Sequence, residues 1–344
     1  MMRRTVGAQV VAHSQKPKSK EVEFDGMNEV VSTGSTLLDL AISGGRFEYG
    51  GIPGGILVEI FGPASCGKTV LLCELAGAIK RKKGEVYFFD PEARLNKQFA
   101  AIFDFEVDDV QYTIPDTIPQ VFKPVRDWEP VQNGSVHGVF ADSLAALSTE
   151  WEMDEKDQYG MRRAKEFSEQ CRMTCRVLPK KNILMVCSNQ VRQNLDAGPY
   201  GQKYKSPGGE AIGFYSSLRL RCHSPTKIVR KRKIASKDVT RIIGVETAVE
   251  IFKSSVWSPG NSAKLHILFD YGIDDIRSNL QFVKDYTTNT TYKVDDIKLD
   301  TSLDRAIEAV EEDGLQKALK RQTVELWREI NEKFQVKRQP KVRQ

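Results

Sequence analysis

The stretch Glu59–Leu95, "EIFGPASCGKTVLLCELAGAIKRKKGEVYFFDPEARL", constrains this chain more than any other. Its Gly62-Pro-Ala-Ser-Cys-Gly67-Lys68-Thr69 fits the phosphate-loop spacing G-x-x-x-x-G-K-[ST]. An apolar run, "GILVEIFG", leads into it, and a helical stripe of Leu72, Leu75, Ala76 and Ile79 leaves it. A strand, a glycine turn and a helix in that order commit the fold to a β-loop-α unit, with both apolar faces buried against each other. The backbone of Gly62, Pro63, Ala64, Ser65, Cys66 and Gly67 is expected to wrap phosphates. Lys68 is expected on the β- and γ-phosphates, Thr69 on Mg²⁺, and the helix from Val70 adds its positive N-terminal end. The ligand so implied is ATP with Mg²⁺.

Further short runs rich in β-formers follow: "EVYFFD", "VHGVFAD", "NILMVCSN", "SLRLRC", "AVEIFKS" and "KLHILFD". The earlier ones are almost continuously apolar, as strands covered on both faces must be. The expected class is α/β, with a mostly parallel central sheet flanked by helices. Residues 1–30 read as a short basic arm, 31–272 as the core, 273–335 as a small α/β C-terminal lobe and 336–344 as a basic tail. The lobe carries two helical patterns. "TSLDRAIEAVEEDG" has Ser302 as its cap and Gly314 as its stop; "LQKALKRQTVELWREINEKF" has an apolar stripe of Leu319, Val324, Trp327, Ile330 and Phe334.

Two carboxylates complete the expected chemistry. Asp142 ends the apolar strand "VHGVFAD" and is the expected acidic partner of Mg²⁺. Glu92 falls just past another strand, on the sheet edge where ligands sit, and is the candidate base for an attacking water. Asp90 reads equally as structural or metal-linked.

The apolar runs are too short to cross a bilayer, and the basic N-terminal stretch has no apolar h-region, so a cytoplasmic setting is expected. The six cysteines lack paired C-x-x-C spacing, which fits a reducing compartment. Cys171 and Cys175 lie four apart without a second ligand pair and are read as packing residues. Alkylation of Cys66 is expected to block ATP binding by bulk, and bound nucleotide to protect it. The formal net charge is only +5, yet cations concentrate in Arg3–Lys20, Lys227–Lys237 and the C-terminal "KRQPKVRQ". Such clustering points to a polyanionic partner.

Beyond these features, "VSTGSTLLDLAISGG", "GPASCGKT", "FFDPEARL", "IPDT", "FADSLAAL", "CSNQVR" and "PGGEAIGFYSSLRL" stand in an order and spacing that resembles the RecA family of DNA recombinases. The resemblance runs over about residues 31–272. It implies a RecA-type ATPase core that polymerises on single-stranded DNA, pairs it with homologous duplex and hydrolyses ATP. It makes Glu92 the water-activating glutamate and Gln190 the γ-phosphate sensor at the head of a DNA-contacting loop. Asn96 and Phe99 fall where adenine binds, in place of the family's Asp and Tyr. The DNA-facing loops correspond to about 149–160 and 192–212. The second loop offers Arg192, Tyr200, Lys203, Lys205, Gly208 and Gly209, and its basic and aromatic residues suit a single strand. Lys165, Ser168 and Arg172, at i, i+3, i+7 on an amphipathic helix, fall on phosphate-contacting positions.

Four departures stand out. Lys253 is kept where the neighbouring protomer reaches the γ-phosphate, but Ser255 replaces the family's second lysine. The N-terminal segment lacks a long amphipathic helix, and the C-terminal tail is basic rather than acidic. The run Lys227–Lys237 is longer and more basic than the family's turn, and reads equally as a duplex-binding patch or an exposed hairpin. A RecA-fold ring motor and a weakly hydrolysing ATP- and DNA-binding scaffold remain alternatives.

Overall fold

The computed structural model describes residues 29–131, 135–150, 161–193, 204–205, 211–335 and 338. A ten-stranded sheet organises the chain. In chain order its strands are β1 (Leu57–Gly62), β2 (Val86–Phe89), β3 (Gln111–Thr113), β4 (His137–Ala141), β5 (Ile183–Gln190), β6 (Leu218–Cys222), β7 (Thr226–Ile234), β8 (Lys237–Ser254), β9 (Ser262–Leu268) and β10 (Gly272–Ile273). Across the sheet the order is β10-β9-β8-β6-β1-β5-β4-β2-β3, with β7 hydrogen-bonded to β8. The pairs from β3 through β6 are all parallel, and the pairs from β6 outward through β8, β9 and β10 are antiparallel. Every apolar run read as a strand is one; β3, β7 and β10 are additions.

Alternation along the strands divides the core between the two faces of the sheet. Val58 and Ile60 of β1, with Leu184 and Val186 of β5, pack on one face. There they meet Leu72, Leu75, Ala76 and Ile79 of helix α2 (Lys68–Arg81), all fully buried. Leu57, Met185 and Cys187 face the other way, onto α4 (Ile118–Asp127) and α5 (Met161–Thr174). The remaining core helices are α1 (Thr36–Ser43), α3 (Lys97–Ala101) and α6 (Ala211–Tyr215). Leu178, past the end of α5 at Thr174, is buried in the 3₁₀ turn Leu178–Lys181.

A separate cluster of Leu280, Val283, Tyr292, Val294, Ala306, Val310 and Leu319 joins α7 (Asp275–Asp285), α8 (Leu303–Glu312), α9 (Gln316–Lys333) and the small ladder Lys293–Val294 with Ile297–Lys298. The Ser302 hydroxyl makes no capping bond to α8; instead the Asp300 carboxylate accepts from the Ser302 amide. Phe334 departs from the expected stripe and is 82% exposed, because α9 ends at Lys333. Asp275 ties this cluster back to α1, accepting from the Thr36 amide and hydroxyl at 2.7 Å each.

The sequence "STGSTLLD" ahead of the sheet folds around Asp39, which accepts from the Thr33 amide and hydroxyl. Close by, Glu74 of α2 accepts from the Ile273 amide at 3.1 Å. Burial pushes the Glu74 carboxyl up to about 7. A raised carboxyl favours the fold while protonated, so this contribution is present below the ordinary glutamate range and lost as pH climbs through 7. A shift of this size corresponds to roughly 3 kcal/mol. Glu74→Gln keeps the acceptor and removes the charge. Its melting temperature is expected to exceed that of the parent above pH 7.5 and to match it near pH 5; parallel curves at both pH values would contradict the assignment.

Candidate functional site

The phosphate loop leaves the C-terminal end of β1, the central parallel strand, flanked by β5 and β6. Two of its glycines are required sterically. A Cβ on Gly62 would lie 2.5 Å from the Cys222 carbonyl oxygen. Gly67 caps α2 with φ +92°, and a Cβ there would strike Ile267. Ala64 and Ser65 are exposed at the crest, with Pro63 half-buried beside them. The Lys68 ammonium donates to the Gly62 and Pro63 carbonyls at 3.2 and 2.6 Å, so it closes the loop on itself. Val70 continues the helix behind it.

Thr69 and Asp142 meet as expected: the Thr69 hydroxyl donates to Asp142 Oδ2 at 2.7 Å. The other carboxylate oxygen of Asp142 accepts from Ser188, whose Oγ in turn accepts from the Ser143 amide. A hydroxyl and a buried carboxylate at the head of α2 are hard oxygen donors of the kind Mg²⁺ takes. Ser188 escaped the sequence reading, although it stands in the same "CSNQ" run as Gln190.

Gln190 lies directly opposite Gly62 across the parallel β1–β5 pair, and the next amide, of Val191, donates to the Gly62 carbonyl. The strand then enters the second loop, where Arg192 pairs with Lys205 and Gln193 with Tyr204 in a short antiparallel ladder.

Glu92 follows β2 in a turn built by Asp90. Asp90 Oδ2 accepts from the Leu95 amide at 2.8 Å and the Tyr112 hydroxyl at 3.0 Å. Burial, then the Asp90 charge, pushes the Tyr112 phenol up to about 12, so it remains a donor. Asp90 therefore has a structural task in this turn. Glu92 Oε1 pairs with Arg94 at 2.9 Å, while its Oε2 is buried without a hydrogen-bond partner among the described residues. A buried carboxylate oxygen left open is an acceptor awaiting a proton donor.

Asn96 is the N-cap of α3, its Oδ1 accepting from the Phe99 amide at 2.8 Å. Phe99 packs edge-on against Phe103, ring centroids 5.1 Å apart. Lys165 and Arg172 are exposed on α5 and Ser168 is half-buried between them, while Phe167 and Cys171 face the core. Tyr200, Lys203, Gly208 and Gly209 lie outside the described residues, as do most of the first loop and the N-terminal arm.

The Lys253 ammonium donates to the carbonyls of Gly213 and Phe214 at 3.0 and 2.8 Å, capping α6 directly after the second loop. Burial, then the neighbouring Arg219 charge, lowers its pKa. Ser255 is exposed, with its amide on the Ser217 carbonyl. Beneath Lys253 lies an ion pair absent from the sequence reading. Glu59, in the middle of β1 and fully buried, accepts from Arg219 Nε at 2.6 Å and from Asn189 at 3.2 Å. Arg219 also lies over the rings of Phe61 and Phe252, 4.6 and 5.2 Å from their centroids. The available signal was a glutamate inside "GILVEIFG", since a charge in a covered strand demands a partner.

Cys66 turns inward from the loop. Its side chain is fully buried, hydrogen-bonded to the Cys222 thiol and 3.0 Å from the Pro63 carbonyl oxygen. The Cys222 hydrogen bond, with Lys68 beside it, lowers the Cys66 pKa to about 7. Alkylation therefore requires the loop to open first.

The family model for the RecA N-terminal domain matches residues 8–274, starting earlier than the expected core at residue 31. A Protein RecA of Thermus thermophilus is 34% identical over 250 residues, covering 72% of this chain and 69% of the relative. Protein RecA of Acholeplasma laidlawii is 28% identical over 292 residues, covering 83% of each. Protein RecA of Thermus aquaticus is 33% identical over 250 residues, covering 72% of this chain and 69% of the relative. With the phosphate loop, its carboxylates and the parallel sheet already in place, these matches show that the chain belongs to the RecA family.

Proposed function

We propose that this chain is a DNA-dependent ATPase that polymerises on single-stranded DNA and carries out homologous pairing and strand exchange. The observation that supports it most is where β5 ends. Gln190, its last residue, stands beside Gly62 of the phosphate loop, and two residues later Arg192 pairs with Lys205 in the short ladder of the second loop. A single residue thus separates the strand at the nucleotide site from a basic loop, so a change at the phosphates is felt where DNA would lie.

In this reading Lys68 neutralises the β- and γ-phosphates of the substrate ATP. Thr69 and Asp142 would hold Mg²⁺, which would offset the charge of the phosphates. Glu92 accepts the proton of the attacking water at its open Oε2. Gln190 reports the γ-phosphate to the second loop. Phe99 offers an aromatic surface to adenine, while the Asn96 side chain is committed to the helix cap. Lys165, Ser168 and Arg172, with the cations of the second loop, contact the DNA backbone. Lys253 acts across the protomer interface after releasing the carbonyls of α6.

The test is ATP hydrolysis followed while single-stranded DNA is titrated, then a joint-molecule assay with homologous duplex. Turnover is expected to rise until the strand is saturated, and joint molecules to form only with a homologous partner. Tight DNA binding without stimulated turnover would favour the scaffold alternative, in keeping with Ser255 at the second lysine position. Stimulated turnover without joint molecules would favour a motor.

A further inference from the structure

Cys66 and Cys222 are distant in the sequence and adjacent in the fold. The parallel register of β1 and β6 sets Arg221 against Phe61, which brings Cys222 beside Gly62. The phosphate loop then turns back over Gly62, and Cys66 donates to the Pro63 carbonyl at 3.0 Å. The two cysteines meet in the space left by the missing Gly62 side chain. A Cβ there would lie 2.9 Å from Cys222 Cβ and 3.0 Å from Cys66 Sγ. Across that space the two thiols are hydrogen-bonded to each other.

All six cysteines are free thiols, but this pair differs from the rest. Burial pushes the thiols of Cys73, Cys171, Cys175 and Cys187 up, as befits inert packing residues. Cys66 instead has the Lys68 ammonium 3.7 Å from its sulfur and is held down at about 7. Cys222 also lines a cavity of about 70 Å³, together with Gly62, Pro63 and Val191. A water needs only about 10–15 Å³ of such space, so a small oxidant fits.

We infer that Cys66 and Cys222 form a reversible redox site, in which a disulfide shuts the phosphate loop against nucleotide. The oxidant is a peroxide. The Cys66 thiolate attacks one peroxide oxygen and breaks the O–O bond, giving a sulfenic acid. The departing oxygen takes up the Cys66 proton and leaves as water. The Cys222 sulfur then attacks the Cys66 sulfur, and the displaced hydroxide leaves as water with the Cys222 proton. Two electrons thus pass from the thiols to the peroxide. In a reducing setting such a bond is transient and regulatory rather than structural. Its effect follows from the shape of the loop. Lys68 is folded onto the Gly62 and Pro63 carbonyls and must leave them to meet phosphates. A bond from Cys66 to β6 holds the loop in that closed shape, which disfavours a ligand of the open one. The inference rests on the proposed function only in taking the phosphate loop as the ATP site.

The experiment treats the reduced full chain with hydrogen peroxide and blocks the remaining thiols under denaturing conditions. Non-reducing peptide mass spectrometry then maps the disulfides. Binding of a fluorescent ATP analogue is read before oxidation, after it, and again after dithiothreitol. The peptides carrying Cys66 and Cys222 are expected to be linked. Affinity is expected to fall about tenfold or more, and dithiothreitol to restore it. Cys222→Ser and Cys222→Ala are expected to bind the analogue as the parent does, and to keep that affinity within about threefold under peroxide. Both thiols left free, or Cys66 linked elsewhere, would overturn the site. A link without loss of affinity, or equal losses in parent and variants, would overturn its control of the loop. Absence of nucleotide binding by the reduced parent would count against the proposed function instead, because the peptide link is read without nucleotide.

Discussion

Glu92→Gln is expected to lower single-strand-stimulated ATP turnover by about 10²- to 10⁴-fold while ATP and DNA remain bound. The substitution keeps the size of the side chain and its reach toward Arg94, and removes only the ability to take a proton. The turn that carries Glu92 is held independently, by Asp90 on the Leu95 amide and the Tyr112 hydroxyl, so its shape survives the change. One carboxylate oxygen is occupied by Arg94 and the other is buried and open, the arrangement of a base with one site in reserve. Steady-state phosphate release and binding of a fluorescent nucleotide separate the two effects. Loss confined to kcat supports proton transfer. Turnover above about a tenth of the parental rate would assign Glu92 to the surface of the loop instead.

The second large effect is on stability. Glu59→Ala removes the carboxylate that Arg219 and Asn189 share beneath the centre of the sheet. Breaking a buried ion pair from one side typically costs about 3–5 kcal/mol, because the surviving charge stays desolvated. Arg219 cannot swing freely to water, since Phe61 and Phe252 pack its guanidinium. Urea unfolding of Glu59→Ala measures the loss, and a change below about 1 kcal/mol would show that Arg219 finds another partner. Replacing both residues by leucine is expected to recover much of the stability, as removal of a whole buried pair often does. Arg219 lies against Gly213, whose carbonyl holds Lys253, so the pair supports Lys253 from below.

Local patterns carried most of the fold. A phosphate loop between an apolar strand and an amphipathic helix, followed by further apolar strands, is legible because strand and helix periodicities are short-range properties. The short edge strands β3 and β10 gave no such signal, since two or three residues hold no period. Phe334 was misplaced for a related reason: its spacing continues the apolar stripe, but the helix ends one residue earlier, at Lys333, and the ring is left exposed. Cys66 reads in one dimension as part of the nucleotide surface, whereas the turn of the loop carries its side chain inward to Cys222.

By itself, then, the sequence determined the class of the sheet, the phosphate loop with Lys68 and Thr69, the placing of Asp142 and Glu92 at strand ends, and membership in a family of DNA-acting ATPases. Each of these rests on residues close together in the chain. Tertiary structure alone decided that Gln190 faces Gly62, that Glu59 is balanced by Arg219 across 160 residues, and that the basic run sorts its arginines onto one side of a ribbon. Those facts depend on strand order and register. A shift of one residue in register exchanges the two faces of a ribbon, and no local pattern of composition records which register the folded chain adopts.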